Sequence, residues 1–238
     1  MIIPNLVETH CHILPGIDDG AQTTDESIKL IKMLKTQGCK KIVCTPHYYS
    51  DSISLNDFLL MRDDAVKQLK SALTEDMPQI LPAAEVFITD YLLNNDDLSP
   101  LCIGNSPYIL IEHPFSCDFS AKILNRLENM CINFNVKPIL AHIERYDALM
   151  ENKDVVDELI DMGCLIQVNI DSFEYAHRKT KKRLFKYLEN GRIHLIGSDC
   201  HNLTTRMPNY EPGITAIKEK FGSEAVDVLI KNANILTK

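Results

Sequence analysis

The sequence has no uninterrupted apolar run of the roughly eighteen residues that a membrane-spanning helix needs. Its first residues, Met1 to Asn5, lack the basic start and the apolar stretch of a secretory signal peptide. No block of like charges, low-complexity tract or linker-like composition interrupts the chain. These absences predict a single domain over residues 1–238, a cytoplasmic location and no membrane insertion.

Eight cysteines are present, but none of them forms a C-x-x-C pair. Most lie inside apolar runs, as Cys44, Cys131 and Cys164 do, so we expect reduced thiols in a cytosolic core. The 25 basic and 33 acidic residues give a net charge of −8. This acidic excess gives no support to a general nucleic-acid-binding surface, and we expect no nucleic-acid partner.

Seven short apolar runs each end in a side chain that can bind a metal ion or a polar substrate. The intervals between successive ends are 27 to 38 residues, which is enough for one strand, one helix and two connections. The ends are His10, His47, Glu85, Glu112, His142, Asn169 and Asp199. Because parallel barrel strands end at one rim, the pattern predicts a metal-binding rim. Seven units rather than eight predict an α/β fold of the distorted (β/α)7 barrel type.

Helical patterns fill the intervals between the apolar runs. Thr23 followed by Glu26 is a capping-box pattern, and Gly38 predicts the end of that helix. Further helices are predicted over Leu55–Leu73, Ala121–Phe134, Lys153–Met162, Lys179–Leu188 and Ile214–Lys231, the last with a break near Gly222. The alternation of strands and helices favours a sheet of parallel strands.

Two short motifs have the spacing of chelating side chains. Alternate residues of a strand face the same side, so His10 and His12 can reach one ion from a single strand. Asp199 and His201 repeat this spacing at the end of the seventh run. Imidazole and carboxylate donors in this combination suit manganese, iron, cobalt and zinc.

Other run ends are ligand candidates for a physical reason. A carboxylate at the end of an apolar run, such as Glu85 or Glu112, is costly unless it is paired or coordinated, and a metal ion supplies that partner. His47 and His142 end their runs in the same way. His194 instead opens its strand and is expected at the opposite rim. His177 beside a lysine-rich helix start is expected in solvent, and His113 is undecided.

A second catalytic interpretation rests on a thiol. Residues from Cys200 to Arg206 satisfy C-x5-R, the pattern of enzymes in which a thiolate attacks phosphate held by a loop of backbone amides. This segment has no glycine and runs into Met207-Pro208. Asp199 and His201 are better explained as metal ligands, so the sequence favours metal chemistry.

Four segments resemble a known family. They are residues 10–21, 44–47, 141–145 and 197–201, which read HCHILPGIDDGA, CTPH, AHIER and GSDCH. They are similar to the polymerase and histidinol phosphatase (PHP) superfamily and, more narrowly, to the bacterial metal-dependent protein-tyrosine phosphatases of capsule and exopolysaccharide synthesis. The resemblance spans essentially the whole chain. It implies a distorted seven-stranded barrel and three divalent metal ions, usually manganese or iron, and as substrate the phosphotyrosine-bearing tail of a bacterial tyrosine kinase.

The resemblance also implies a role for each matching residue. The first ion would be held by His10, His12, Glu85 and Asp199. The second would be held by Glu85, Glu112 and His142. The third would be held by Asp19, His47 and His201. Asp18 would support a ligand, and Arg145 and Arg206 match catalytic positions that hold phosphate. Glu8 and His113 depart from the family, which usually has aspartate and an aromatic residue there.

In this interpretation a hydroxide bridging two ions attacks the phosphorus atom while the two arginines hold phosphate oxygens. The site chemistry leaves other functions open. A small-molecule phosphomonoesterase of the histidinol-phosphatase type, a polymerase-associated nuclease and a metal-binding regulator that grips a kinase tail without turnover would use the same ligands. The sequence selects neither the native metal nor an oligomeric state, and a homo-oligomer is compatible with it.

Overall fold

A computed structural model describes all residues from 1 to 238 as an α/β fold in which every strand pairing is parallel. The strands are β1 (Leu6–Cys11), β2 (Cys39–Cys44), β3 (His47–Tyr49), β4 (Gln79–Pro82), β5 (Glu85–Phe87), β6 (Tyr108–Glu112), β7 (Lys137–Leu140), β8 (Leu165–Asn169) and β9 (Leu195–Gly197). The helices are α1 (Thr24–Thr36), α2 (Leu55–Ser71), α3 (Ala121–Phe134), α4 (Asp147–Glu151), α5 (Lys153–Asp161), α6 (Ser172–Tyr175), α7 (Arg178–Glu189), α8 (Glu211–Phe221) and α9 (Ser223–Leu236). None of these helices combines the length and the hydropathy that a membrane crossing requires.

The second and third apolar runs each form two strands instead of one. One sheet has the order β1-β2-β4, and the other has the order β3-β5-β6-β7-β8-β9. Pro46 separates β2 from β3 because it has no N–H to donate to a neighbouring strand. Pairing nevertheless continues across the break, since Ala83 N–H donates to Cys44 O at 2.9 Å and Glu85 N–H donates to Pro46 O at 3.0 Å. The two sheets are therefore joined where β2 leads into β3 and β4 leads into β5.

The first and last strands lie side by side. Cys11 and Cys200 form an isolated parallel bridge. The N–H of His12 donates to Cys200 O at 2.9 Å, and the N–H of Asp199 donates to His10 O at 2.8 Å. His10 and His12, at the end of the first strand, are thus held directly against Asp199, which follows the last strand.

Two apolar clusters pack on opposite faces of the strands. The larger has 56 buried residues and includes residues of the surrounding helices. The smaller, which we call the inner cluster, consists of Val7, Val43, Ala83, Ile103, Leu110, Ile139, Ala141, Leu195, Ala233 and Leu236. Strand neighbours such as Leu6 and Val7 fall in different clusters, as the alternating faces of a strand require. Only α9 contributes helical residues to the inner cluster, so α9 covers one end of it.

The helices agree with the predicted boundaries to within about three residues, except that α9 ends at Leu236, five residues beyond the predicted Lys231. The range Ala121–Phe134 is reproduced, and α2 ends at Ser71 rather than Leu73. The last predicted helix is two helices, since Gly222 has φ +80° and takes a conformation that a helix cannot continue. The helices α4 and α6 were not predicted because four or five residues are too few to show a helical period.

The first helix begins with the predicted cap. The side-chain hydroxyl of Thr23 accepts the N–H of Glu26 at 3.2 Å. The Glu26 carboxylate does not close the capping box on Thr23, however, because it accepts the N–H of Gln22 at 2.8 Å instead. The Glu26 side chain therefore binds the backbone N–H of Gln22, one residue before the Thr23 N–H that the capping-box motif predicts.

Candidate metal centre

All nine predicted ligands lie together at the carboxyl ends of the strands. They are His10, His12, Asp19, His47, Glu85, Glu112, His142, Asp199 and His201. Seven of them are buried, while the side chain of His47 is 17% exposed and that of Asp19 is 66% exposed. The two outer members therefore mark the side from which solvent reaches the cluster.

The first group of donors surrounds a single point between the first and last strands. The Nε2 atoms of His10 and His12 are 3.3 Å apart. Glu85 Oε2 lies 3.1 Å from the first and 3.2 Å from the second of these nitrogens. Asp199 Oδ1 lies 3.5 Å from both. Two imidazoles and two carboxylates thus face one another, as the sequence predicts.

The second group includes one more residue than the sequence assigned to it. His142 Nε2 lies 2.8 Å from Glu85 Oε1 and 3.8 Å from Glu112 Oε2. His47 Nδ1 also faces both carboxylates, at 3.2 Å from Glu85 and 3.1 Å from Glu112. Glu85 consequently contacts donors of the first and second groups.

The third group lies at the solvent side of the cluster. His201 Nε2 is 3.3 Å from Asp19 Oδ1, and His47 Nε2 is 3.6 Å from the same oxygen. The rings of His12 and His201 are stacked with their centroids 3.9 Å apart. The two nitrogens of His47 therefore face different groups, so this ring links the second group to the third.

The donor atoms lack the partners that a buried polar group needs. Glu85 Oε2, Glu112 Oε1, His47 Nδ1 and His201 Nε2 are all buried without a hydrogen-bond partner. Each such atom costs about 1–3 kcal/mol if nothing satisfies it. All four belong to the cluster, and imidazole nitrogens and carboxylate oxygens are ligands of divalent transition metals. The residues present therefore fit divalent metal ions.

The electrostatics of the cluster favour positive charge at its centre. Burial lowers the pKa of His12, but hydrogen bonds to Asp18, Asp199 and Glu85 outweigh it and raise the pKa well above its ordinary value. Burial raises the pKa of Asp199, but the charge of His10 and the other cations nearby hold that pKa well below the usual range. Asp199 thus stays ionised beside a protonated His12, and bound metal ions would supply the positive charge in place of that proton.

Asp18 fixes the orientation of the first histidine motif. Its Oδ2 accepts a hydrogen bond from His12 Nδ1 at 2.8 Å, which leaves Nε2 of that ring free to face the cluster. The same oxygen accepts the N–H of His47 at 3.1 Å, and Oδ1 accepts the N–H of Gly20 at 2.9 Å. One carboxylate therefore positions two candidate ligands and the loop between them.

An amide network that the sequence analysis missed supports the other side of the cluster. Gln167 Oε1 accepts the N–H of His142 at 2.7 Å and lies 3.5 Å from His10 Nδ1. Gln167 Nε2 donates to Asn169 Oδ1 at 3.2 Å, and Asn169 Nδ2 donates to Asp199 Oδ2 at 3.0 Å. The sequence contained one indication of this network, which is the glutamine within the apolar run of β8. A buried amide side chain requires hydrogen-bond partners.

Glu8, which departs from the usual aspartate, joins the first and last strands. Its Oε1 accepts the N–H of His10 and the N–H of Ser198, each at 3.0 Å. The side chain is fully buried, and burial raises the pKa of its carboxyl. The departure therefore keeps an acidic group whose contacts hold the two chelating motifs together.

Backbone geometry is unusual where the cluster is built. His142 has φ 35° and Asp199 has φ 53°, and the left-handed region is uncommon for residues other than glycine. Each follows the last residues of its strand, so the turn redirects the side chain toward the cluster. A Cβ on Gly197 would lie 2.7 Å from His10 Cβ and 2.9 Å from Gln167 Nε2. Only glycine lets β9 approach β1 this closely.

Two arginines lie beside the cluster on one wall of a polar cavity. Arg145 Nη2 donates to Asp199 Oδ2 at 2.5 Å, and Arg206 Nη2 forms an ion pair with the same oxygen at 2.8 Å. Their side chains are 32% and 37% exposed. The cavity has a volume of about 420 Å³ and also contains Asn169 and Tyr175. Both guanidinium groups can therefore meet an anion that enters this cavity.

A second opening on the other side of the cluster is largely apolar. We call it the apolar hollow; it has a volume of about 320 Å³ and is lined by Ile17, Asp18, Asp19, His47, Tyr49, Ser52, Ile53, Phe58 and Met61. The ring of Tyr49 lies 5.5 Å from the rings of both His47 and Phe87. The cluster thus lies between a polar cavity with two cations and an aromatic-lined hollow.

The thiol interpretation finds no phosphate cradle in the structure. Cys200 is fully buried. In the loop that follows it, Asn202 Oδ1 accepts the N–H groups of Thr204 at 3.0 Å, Thr205 at 2.8 Å and Arg206 at 3.1 Å. Those amides are the groups that would have to point at phosphate in a thiol-based enzyme. The loop instead uses them to hold Arg206 in place.

Comparisons with known proteins agree on one family. Residues 6–238 match the family model described as capsular polysaccharide synthesis, CpsB/CapC. The chain is 31% identical over 241 residues to the tyrosine-protein phosphatase CpsB of Streptococcus agalactiae serotype V, covering 98% of each chain. It is 30% identical over 239 residues to the tyrosine-protein phosphatase YwqE of Bacillus subtilis, covering 97% of this chain and 91% of that protein. A crystal structure from work on YwqE of Bacillus subtilis and CpsB of Streptococcus pneumoniae, metal-dependent tyrosine phosphatases, superposes with a TM-score of 0.81 and 26% identity, covering 98% of this chain and 94% of that one.

Proposed function

The chain belongs to the capsular polysaccharide synthesis CpsB/CapC family, and on that premise we propose that it is a metal-dependent protein-tyrosine phosphatase. The observation that carries the proposal is the largely buried cluster of nine histidine and acidic side chains, four of whose facing atoms have no hydrogen-bond partner. Relatives over nearly the full length are named tyrosine-protein phosphatases, and a structurally similar protein is described as metal-dependent.

We assign three divalent ions to the cluster, with manganese as the first choice and iron, cobalt and zinc as alternatives. The first would be held by His10, His12, Glu85 and Asp199, the second by Glu85, Glu112 and His142, and the third by Asp19, His47 and His201. The short distances within each group support this assignment. His47 would contribute to the third ion, since its Nε2 faces Asp19, while its Nδ1 faces the two glutamates of the second group.

Bound divalent ions would lower the pKa of coordinated water and offset negative charge on the phosphoryl group. The remaining steps belong to the protein. Arg145 and Arg206 exchange the Asp199 oxygen for phosphate oxygens, which their planar donors match in geometry. Asp18 keeps the proton of His12 on Nδ1, and Gln167 holds the backbone of His142. A phenolate with a pKa of about 10 leaves more readily than an alkoxide.

The apolar hollow favours an aryl phosphate over a small alkyl phosphate. Tyr49, Ile53 and Met61 offer apolar surface to a phenyl ring, while the polar cavity on the other side holds both arginines. A phosphotyrosine with its phosphate at the cluster can place its ring in the hollow. The polar imidazole of histidinol phosphate gains less from such a surface.

Three further parts of the proposal concern fold, partner and location. We infer that the seven passes of the chain form a distorted PHP-type barrel, because the β1–β9 bridge and the inner cluster join the first pass to the last. We propose as substrate the phosphotyrosine-bearing tail of a bacterial tyrosine kinase; the family description supports the connection to capsule synthesis. The location is cytoplasmic, which suits six fully buried free cysteines.

The first test is phosphate release from a phosphotyrosine peptide and from histidinol phosphate, with metal-free protein and after addition of manganese. We expect release from the peptide only after manganese is added, and unchanged activity in Cys200→Ser. Cys164→Ser, a second buried thiol away from the cluster, is the matched control.

The remaining outcomes of this test separate the alternatives. Activity that resists chelation and disappears in Cys200→Ser would overturn the metal mechanism. A manganese-dependent preference for histidinol phosphate would keep the metal site and replace the substrate. Binding of the phosphopeptide without phosphate release in any metal would make the protein a regulator rather than an enzyme.

A further inference from the structure

Positive charge is concentrated in one short segment of an otherwise acidic protein. Seven of the 25 basic residues lie within residues 177–192, where Glu189 is the one acidic residue. Elsewhere acidic residues outnumber basic ones, and the whole chain has a net charge of −8. The basic segment includes all of α7. Such a local reversal of charge attracts anionic partners to one place on the surface.

The free charges form a line along α7. Arg178, Lys182 and Lys186 are exposed and are spaced four residues apart, so they lie on one face of the helix. We call these three residues the basic stripe. None of them has an acidic side chain within 4 Å, whereas two neighbouring lysines of α7 pair with Glu151 and Glu174. The stripe is therefore uncompensated within the chain.

The basic stripe begins close in sequence to a residue of the polar cavity. Tyr175, which lines that cavity and is 67% exposed, lies three residues before Arg178. Because α7 follows the carboxyl end of β8 and leads back to β9, its first turn is nearest to the cluster. Lys186 lies about 12 Å farther along the helix. The positive end of the helix dipole adds to the charge at Arg178.

We propose that the basic stripe binds anionic groups, carboxylates or further phosphates, in the polypeptide segment that carries the phosphotyrosine. This inference rests on the proposed phosphatase function. An extended chain advances about 3.3 Å per residue, so a segment along the stripe spans about four residues. The stripe thereby selects substrates whose acidic groups lie several positions from the phosphotyrosine and raises their rate of association.

A membrane surface fits the stripe less well. Helices that bind lipid surfaces insert an apolar face between the headgroups. The apolar face of α7 is already used inside the protein, since Leu184, Phe185 and Tyr187 are buried. The exposed face offers charge without apolar side chains. An acidic polypeptide can bind through charge alone, without inserting apolar side chains.

The test compares three phosphotyrosine peptides and para-nitrophenyl phosphate as substrates of the manganese-loaded protein. The peptides carry glutamates, glutamines or a second phosphotyrosine on the same side of the target residue. In the variant R178Q/K182Q/K186Q we expect kcat/KM to fall about ten-fold for the acidic and the doubly phosphorylated peptide, mainly through KM, because three individually weak exposed ion pairs are removed together. The glutamine peptide and the aryl phosphate should change little, and added salt should remove the difference.

A matched variant controls for the change in net charge. Lys32, Lys67 and Lys70 are also exposed and form no ion pairs, and they lie on α1 and α2. K32Q/K67Q/K70Q should keep the preference for acidic peptides.

Each remaining outcome has a defined meaning. An equal loss for acidic and glutamine peptides, or no loss for either, would overturn the role of the basic stripe. Binding of anionic phospholipid vesicles that the stripe variant abolishes, with no change in peptide preference, would assign the stripe to a lipid surface instead. If wild-type protein hydrolyses neither the peptides nor the aryl phosphate, the proposed function fails, which is distinguishable from failure of the stripe. A loss for only one of the two anionic peptides would identify carboxylate or phosphate as the preferred group.

Discussion

Histidine tautomers in the cluster are set by neighbouring groups that would not themselves touch a metal ion. His12 donates from Nδ1 to Asp18, and His201 has its Nδ1 within 3.0 Å of the carbonyl oxygen of Asp199. In both rings Nε2 is left to face the cluster. A ring held in one tautomer and orientation binds metal more tightly, because less rotational freedom is lost on binding. An acidic residue beside a histidine ligand, such as Asp18 beside His12, therefore indicates a metal site as the ligand itself does.

Asp18→Asn tests this arrangement with a nearly isosteric change. The amide oxygen can still accept from His12, but the charge that stabilises the ligand's donated proton is lost. We expect manganese affinity to fall about 10- to 100-fold, with the fold retained. Isothermal titration of metal-free protein with manganese gives the affinity, and circular dichroism checks the fold.

Asp64→Asn is the matched control for this change, since Asp64 is exposed on α2 and forms no ion pair. It should leave manganese affinity unchanged. Equal affinities for Asp18→Asn and the wild type would show that Asp18 does not position His12.

Strand ends were predictable from the sequence because buried parallel strands need continuous apolar runs, and a charged residue ends such a run. His10, Glu112 and Asp199 lie at or just beyond strand ends for this reason. The division of the third run was not predictable, since it depends on how Ala83 and Glu85 pair with Cys44 and Pro46 of the neighbouring run. The apolar runs therefore predicted which residues lie at the rim, but they did not predict to which of the two sheets each strand belongs.

The hydrogen bonds that hold the ligand side chains in place were the feature that was least predictable from the sequence. Gln167 contacts His142, which is 25 residues away in the chain, and His10, which is 157 residues away. No spacing rule links residues so far apart, and a single glutamine in an apolar run does not name its partners. Motifs of adjacent residues reveal chelating pairs, whereas networks between strands emerge only once the strands are placed.

The start of α1 gives a prediction about helix stability that is separate from the cluster. Thr23→Ala removes the hydroxyl that accepts the N–H of Glu26. We expect a loss of about 1 kcal/mol in the free energy of unfolding, measured by urea denaturation of the metal-free protein. Thr23→Ser keeps the hydroxyl and should lose a few tenths of that value or nothing. A full loss in the serine variant would mean that the methyl group of Thr23, rather than the cap, stabilises the helix.

Charge is distributed unevenly over the molecule in a way that suits an anionic substrate. The protein is acidic overall, yet two arginines line the polar cavity beside the cluster and basic residues are concentrated on α7. The carboxylates at the centre stay ionised with support from histidines and arginines. A phosphate can displace these arginines from Asp199 only when other positive charge compensates that carboxylate. Metal ions would supply the compensation, so binding of metal and of phosphate should be coupled.

Metal binding should stabilise the whole fold, because the nine donors come from both ends of the chain and from most strands between them. At a manganese concentration 100 times the dissociation constant of one site, the gain is about 2.7 kcal/mol. For a chain of this length, that gain corresponds to a rise of about 5–10 °C in Tm, measured by calorimetry with and without a chelator. His201→Ala removes one donor and should reduce the rise, while Cys200→Ser beside it should keep the rise in full. An equal rise in His201→Ala and the wild type would place the stabilising metal outside the third group, and no rise in any variant would contradict the metal cluster itself.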